Sequence, residues 1–387
     1  MRIAVFHTEF AYSGGAEKLI FREVDQFVST GHKVDIYTAF ADREKCYPEE
    51  IGRYNIKQIL PEFLDKLIPH EGMIILTTLL FPFVFIPYHI LRATHYDIFF
   101  GHNQAGPWWA AMMGILLGKP YFTYNPYPST YTHPRNIDNK KANPVFALLD
   151  KFFITHARVC FANGKYAKRI CERVYKREFI NCPAGAERGQ FSKRIWGERW
   201  KNPYILITNR HFPAKRIEYG IEIISELKTP ASPADRQNSK LRLVITGGET
   251  DHTNKLRSLA KRLDVGKRVF ITGLVGKKRL TSLYKYALCY IYTAPEEDLG
   301  MGIVEAMAAG VPVVAWDNAG PKYIVKQGNT GYLAEPFSQE DFSGCVRKIT
   351  IDKLLNLKMS QNSYRESKKY SWRKHNRILL KNIANYV

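Results

Sequence analysis

Short apolar runs recur along the chain, and each is followed by a stretch with helical spacing. Arg2–His7 reads as a first strand, Ser13-Gly14-Gly15-Ala16-Glu17 as a loop, and the residues to Thr30 as a helix before a strand at Lys33–Thr38. Asp97–Phe100, Pro120–Tyr124 and Val159–Phe161 continue the series, with a small-residue helix from Gly106 to Gly118 after the first of them. Farther on come Tyr204–Thr208, Leu241–Thr246, Val269–Thr272, Cys289–Tyr292 and Pro312–Ala315. Strands alternating with helices predict parallel sheets covered on both faces. The turn-rich, charged stretch Pro183–Pro203 predicts a domain boundary. The expected architecture is therefore α/β, with two doubly wound domains at 1–190 and 191–370 and a C-terminal helix, 371–387, packing back on the first. Residues 229–240 (TPASPADRQNSK) read as a polar surface loop. Doubly wound domains bind ligands at the carboxyl ends of their strands, so two that face each other would place a site in the cleft between them.

Composition narrows the partners. The 387 residues carry a formal net charge of +21, which calls for an anionic partner: nucleic acid, acidic lipid or phosphorylated substrate. Residues 165–216 hold fourteen Lys/Arg against four acids. No nucleic-acid-reading motif accompanies them. Six scattered cysteines without a C-x-x-C pair fit reduced thiols, and exclude a disulfide framework or a zinc site. The apolar run at Met1–Phe6 is too short for a signal peptide. Residues 72–91 (GMIILTTLLFPFVFIPYHIL) contain no Asp, Glu, Lys or Arg. Their length would allow a membrane span, but Pro82 and Pro87 interrupt them and no second span exists. A segment lying in the membrane interface is the first reading, a buried core helix the second and a true span the third.

Chemistry concentrates in E-D-L-G-M-G-I-V-E-A-M-A-A-G, Glu297 to Gly310. Glycines at Gly300 and Gly302 open a helix, and such a start lets backbone N–H groups approach a phosphate where the dipole favours negative charge. Glu305 on the first turn can accept hydrogen bonds from neighbouring ribose hydroxyls, and Glu297 from sugar hydroxyls. These residue types suit a nucleotide-sugar; a glycine-kinked amphipathic helix with solvated acids is the plain alternative. Arg210 and Lys215, just after the strand ending at Thr208, can neutralise a diphosphate without a metal.

Together these pieces resemble glycosyltransferase family 4, retaining enzymes of the two-domain GT-B fold. The likeness runs through Gly14-Gly15-Ala16-Glu17, Gly185-Ala186-Glu187, Arg210 with Lys215, Ile271-Thr272-Gly273-Leu274, Glu297 with Glu305, and Tyr370-Ser371-Trp372. It implies that Arg210 and Lys215 hold the donor diphosphate, Glu305 the ribose and Glu297 the sugar. The backbone of Gly300, Met301, Gly302 and Ile303 would cradle sugar and phosphate, with Gly273 and Leu274 on the donor side and Gly14-Gly15 closing from the opposite domain. Gly300–Met307 and Asn318-Ala319-Gly320-Pro321 are most similar to mannosyltransferases that extend lipid-linked oligosaccharides on the cytosolic face of a membrane. The implied donor is GDP-mannose, or else a UDP-sugar, and the acceptor a glycan or a lipid-linked glycan. The implied location is cytoplasmic, peripheral to an anionic membrane surface.

One departure touches the acceptor side. The family's loop histidine is replaced within Tyr124-Asn125-Pro126-Tyr127-Pro128, and Asp298-Leu299 stand where Gly and an aromatic are common. His102, Asn125 and Tyr127 are the acceptor-side candidates. The chain has no D-x-D pair, so neither a metal nor any other cofactor is expected. The reading is a retaining hexosyltransferase. A non-catalytic GT-B scaffold binding membrane or another polyanion, and a GT-B nucleotide-sugar epimerase, are the alternatives.

Overall fold

Thirteen parallel strands in two sheets organise the described residues of the computed structural model, which are 1–86, 94–129, 132–133, 141–191, 196–227 and 240–386. The chain divides into two units, Met1–Pro183 together with the residues from His375 on, and Ala184–Lys374. The first sheet contains β1 (Arg2–Phe10), β2 (Lys33–Ala41), β3 (Ile56–Gln58), β4 (Ile98–His102), β5 (Tyr121–Asn125), β6 (Val159–Ala162) and β7 (Ile180–Asn181) in the order β3-β2-β1-β4-β5-β6-β7. The second contains β8 (Tyr204–Thr208), β9 (Arg242–Thr246), β10 (Val269–Ile271), β11 (Cys289–Tyr292), β12 (Val313–Trp316) and β13 (Gly331–Ala334) in the order β10-β9-β8-β11-β12-β13. The α/β, doubly wound expectation holds for each unit. In each sheet the strand order reverses beside the first strand, between β1 and β4 and between β8 and β11. Crevices at such switch points are where open α/β sheets bind ligands.

Buried strands explain the apolar runs. Ile3, Ala4, Val5 and Phe6 of β1 are at most 1% exposed, because helices cover both faces of the sheet. On one face Phe6 stacks with Tyr37 (5.5 Å) and meets Phe81 and Phe85 edge-on, and Phe81 stacks on Trp109 at 5.6 Å. On the other, Phe100 packs against Phe27 of the Gly15–Ser29 helix, and Phe122 against Tyr386 near the C-terminus.

The uncharged 72–91 segment divides its loyalties. Residues 87–91 lie outside the described residues. In the rest, Met73, Thr77, Phe81 and Phe85 are buried at intervals of four, while Ile75, Leu79 and Phe83 on the next stripe are 57%, 57% and 76% exposed. It is core along one stripe and apolar surface along another. No helix among the described residues is long and apolar enough to cross a membrane. The surface-loop reading of 229–240 falls outside the described residues except for Lys240.

The basic 165–216 stretch divides between the two units at Pro183. Much of its charge is used internally. Arg177 donates to the carbonyls of Ile154, Thr155 and Ala157 at the end of one helix. Arg188 lies 4.3 Å over the Tyr364 ring and donates to Ser367. Arg199, 2% exposed, donates to the carbonyls of Lys285, Ala309 and Gly310 and to Ser360. Two of those carbonyls end the glutamate-bearing helix Met301–Ala308, where a cation meets the negative end of the dipole.

Candidate functional site

The loops leaving β8 and β11, on either side of the second unit's switch point, carry the predicted charges. Lys215 Nζ donates to Glu297 Oε2 at 2.6 Å, joining the two loops directly. Thr293 at the end of β11 also donates to the Lys215 carbonyl at 3.0 Å. The Tyr292 hydroxyl donates to the same Oε2 at 2.5 Å. Burial, and then the Glu297 carboxylate, push the Tyr292 phenol well above its ordinary pKa, so it stays protonated and acts as a donor. Arg210 leaves β8 two residues beyond its end, with its guanidinium 5.0 Å over the Phe212 ring.

Glu305 is 9% exposed and accepts from the Tyr284 hydroxyl at 2.8 Å. That hydroxyl lies 2.6 Å from Thr208 Oγ1, which is 3.0 Å from the Tyr290 hydroxyl. Burial and the neighbouring carboxylate likewise raise Tyr284 well above a free phenol. A phenol–hydroxyl chain therefore ties Glu305 to Thr208 at the end of β8, the strand that leads into Arg210. Thr208, Tyr284, Tyr290 and Tyr292 escaped sequence reading, because nothing in the apolar strand pattern distinguishes a phenol aimed at a carboxylate from a core aromatic.

Gly300, at φ +81°, turns the chain into the helix. Gly302 faces the hydroxyl chain so closely that a Cβ there would stand 2.0 Å from Tyr290 Oη and 3.0 Å from Thr208 Oγ1. The first-turn amides of Met301 and Gly302 sit at the helix's positive end, whereas Ile303, expected to join the cradle, donates its amide to the Gly300 carbonyl at 2.9 Å and buries its side chain. The Gly320 amide donates to the Glu297 carbonyl at 2.8 Å, which fixes the glutamate loop to the loop after β12. Gly273 has φ +65°, and a Cβ there would meet Glu249 Oε1 at 3.2 Å. Its neighbour Leu274 is 51% exposed.

In the first unit, Gly14 precedes the Gly15–Ser29 helix just beyond β1, and a Cβ on it would meet Glu17 Oε2 at 2.4 Å. His102 ends β4 across the switch point but is 1% exposed, with Nε2 3.1 Å from Glu23 Oε2. The other Glu23 oxygen lies 2.9 Å from His375 Nε2, while His375 Nδ1 lies 3.1 Å from the Pro183 carbonyl. Both His375 ring nitrogens thus face acceptors, which favours the imidazolium. Burial opposes that charge, but the Cys182 sulfur and the Glu23 carboxylate outweigh it and raise His375 to about 10. His102 belongs to this buried ladder. Asn125 is 3% exposed at the end of β5, and Tyr127 stacks on Tyr166 with centroids 6.2 Å apart. His133, later in the same loop, has Nε2 3.5 Å from the buried carboxylate of Asp150.

Two doubly wound parallel sheets with a basic–acidic pair at the second one's switch point define a GT-B glycosyltransferase. Residues 13–180 match the family model described as Glycosyltransferase Family 4, and residues 190–366 match that of glycosyl transferases group 1. The chain belongs to the glycosyltransferases, with a family 4 domain in its first part and a group 1 domain in its second. Among curated relatives, it is 22% identical to the alpha-1,3/1,6-mannosyltransferase ALG2 of Dictyostelium discoideum, over 96% of this chain and 95% of that one. Among solved structures, the sucrose-phosphate synthase of Thermosynechococcus elongatus superposes with a TM-score of 0.78 at 16% identity, over 100% of this chain and 98% of that one. Anabaena HepE in complex with UDP and glucose gives 0.77 at 16% identity, over the whole of both chains.

Proposed function

We propose that the protein transfers a hexose, mannose favoured, from a nucleotide-sugar to a hydroxyl of a lipid-linked or polysaccharide acceptor, with retention of anomeric configuration. The carrying observation is the Lys215–Glu297 pair at the second unit's switch point, framed by Tyr292 and the glycine-opened helix. In this reading Arg210 and Lys215 bind the diphosphate, and the first-turn amides of Met301 and Gly302 add donors. Glu305, oriented by Tyr284, accepts from the ribose hydroxyls. Glu297, oriented by Tyr292, accepts from the sugar hydroxyls.

The anomeric carbon–phosphate oxygen bond breaks as the acceptor oxygen approaches the same face, and the departing β-phosphate takes the acceptor's proton. Negative charge builds on that phosphate, so a fixed Lys215 ammonium stabilises the transition state more than the bound donor. A base supplied by the leaving group makes the missing loop histidine dispensable. Arg210 and Lys215 supply the countercharge, and no divalent metal is needed. The mannose preference draws on the ALG2 relative, a mannosyltransferase, and the GDP-linked donor on a second relative from Dictyostelium discoideum, a GDP-Man:Man(3)GlcNAc(2)-PP-Dol alpha-1,2-mannosyltransferase, while the HepE complex keeps a UDP-sugar in view. The reading places the enzyme on the cytosolic face of a membrane as a peripheral protein. A panel of nucleotide-sugars assayed for nucleoside-diphosphate release tests it; no release and no nucleotide binding from any member would reject it.

A further inference from the structure

Tyr47 holds a backbone conformation that its sequence disfavours twice over. Its φ is +44°, in the left-handed region that residues other than glycine avoid. It also precedes Pro48, and a proline pushes the residue before it toward extended conformations. Strain of this kind persists only where the surroundings hold it, and it gathers at functional elements.

The surroundings here are the glycine loop that follows β1. The Tyr47 amide donates to Ser13 Oγ at 2.8 Å, and Ser13 Oγ donates in turn to the Lys45 carbonyl at 2.9 Å. The Tyr47 hydroxyl donates to the Gly14 carbonyl at 2.8 Å. That same oxygen accepts the Lys18 amide at 3.2 Å, at the start of the Gly15–Ser29 helix. One residue thus grips two adjacent residues of the loop, by its backbone and by its side chain.

The loop after β2 is built to supply that grip. Asp42 Oδ1 accepts from the Glu44 and Lys45 amides at 3.0 and 2.9 Å, and the Asp42 carbonyl accepts from the amide of the buried Cys46. On the other side, the Tyr47 carbonyl accepts from the Glu50 and Ile51 amides. The Tyr47 ring meets the buried Phe21 edge-on, with centroids 5.9 Å apart. Glu17 closes on the same glycine from the helix: a Cβ on Gly14 would run into its carboxylate, which lies 3.7 Å from Nε2 of the buried His7 on β1.

We propose that Ser13 and Tyr47 are positioning residues, a clasp from the loop after β2 that sets where Gly14 and Gly15 present their backbone beside the β1/β4 switch point. The clasp's part in turnover rests on the transferase reading above, in which the glycine loop meets the donor; the clasp itself does not.

Full-length wild type, Tyr47→Phe and Ser13→Ala are compared. Tyr47→Phe keeps the ring against Phe21 and removes only the bond to Gly14. Native-state hydrogen exchange should show the Lys18 amide exchanging on the order of tenfold faster in Tyr47→Phe, and the Tyr47 amide likewise in Ser13→Ala. In both variants kcat for nucleoside-diphosphate release across the nucleotide-sugar panel should fall about tenfold or more, the scale of a small misplacement. The dissociation constants of GDP and UDP, which the transferase reading assigns to the second unit, should stay at wild-type values.

Unchanged exchange in the variants overturns the clasp, and turnover equal to wild type overturns its part in the reaction. Nucleotide binding and thermal midpoint falling in step with kcat would mark a merely structural contact and also overturn it. If exchange responds as expected while wild type neither binds nor turns over any nucleotide-sugar, the transferase reading fails and the clasp stands.

Discussion

Lys215 and Glu297, 82 residues apart in sequence, form a 2.6 Å ion pair that closes the loops leaving β8 and β11 on each other. Both side chains are partly exposed, so the pair adds little stability and leaves each group within reach of a ligand. Lys215→Ala should therefore lower kcat by on the order of 100-fold or more, the scale for losing one preorganised donor to a developing anion. Its thermal midpoint should stay close to wild type. Steady-state kinetics showing a raised KM with unchanged kcat would place Lys215 in ground-state binding alone.

Gly302→Ala tests the closeness of the glycine helix to the hydroxyl chain. The added methyl would stand 2.0 Å from Tyr290 Oη, so the helix start or the tyrosine must move. Calorimetric titration should show weakened nucleotide binding. The double change Gly302→Ala with Tyr290→Phe should recover part of it.

Arg199→Met should destabilise the second unit by on the order of 3 kcal/mol, since buried carbonyls of Lys285, Ala309 and Gly310 lose their donor together. Denaturant titration measures this. A change near zero would mean those carbonyls find other partners.

The His375–Glu23 contact predicts a pH signature for the first unit. His375 is raised from 6.5 to about 10, so its stabilisation is complete below about 6.5 and is lost as pH rises toward 10. Glu23 is lowered from 4.5 in spite of burial, because His102 and His375 flank it, so its share is present above 4.5 and is lost at more acid pH. The melting temperature should fall on the alkaline side for wild type, and His375→Gln should flatten that limb. Equal alkaline slopes in both proteins would contradict the assignment.

Much of this was legible in the sequence because central parallel strands announce themselves. Tyr204–Thr208 and Cys289–Tyr292 are apolar runs buried on both faces, and the loops that follow them carry the charges. The strands that passed unseen, Ile56–Gln58, Ile180–Asn181 and Gly331–Ala334, are all edge strands of two to four residues. Too few residues and too little burial leave no pattern there. The spacing of Glu297 and Glu305 pointed to a site, but not to the phenols that orient them. Burial alone reveals that His102 faces Glu23. Phe83 and Phe85 stand in the same uncharged run, yet Phe85 is 3% exposed and stacks on Phe81 at 4.6 Å, while Phe83 is 76% exposed. Phe85→Glu should unfold the first unit, whereas Phe83→Glu should leave its melting temperature nearly unchanged.

Nucleoside-diphosphate release from a panel of nucleotide-sugars, in the presence of a metal chelator, bears most directly on the central claim. The account predicts slow release from one donor, GDP-mannose foremost, unaffected by the chelator and abolished in Lys215→Ala. Release that stops with the chelator and returns with magnesium or manganese would contradict the metal-free Arg210–Lys215 mechanism. Release undiminished in Lys215→Ala would contradict the assigned site.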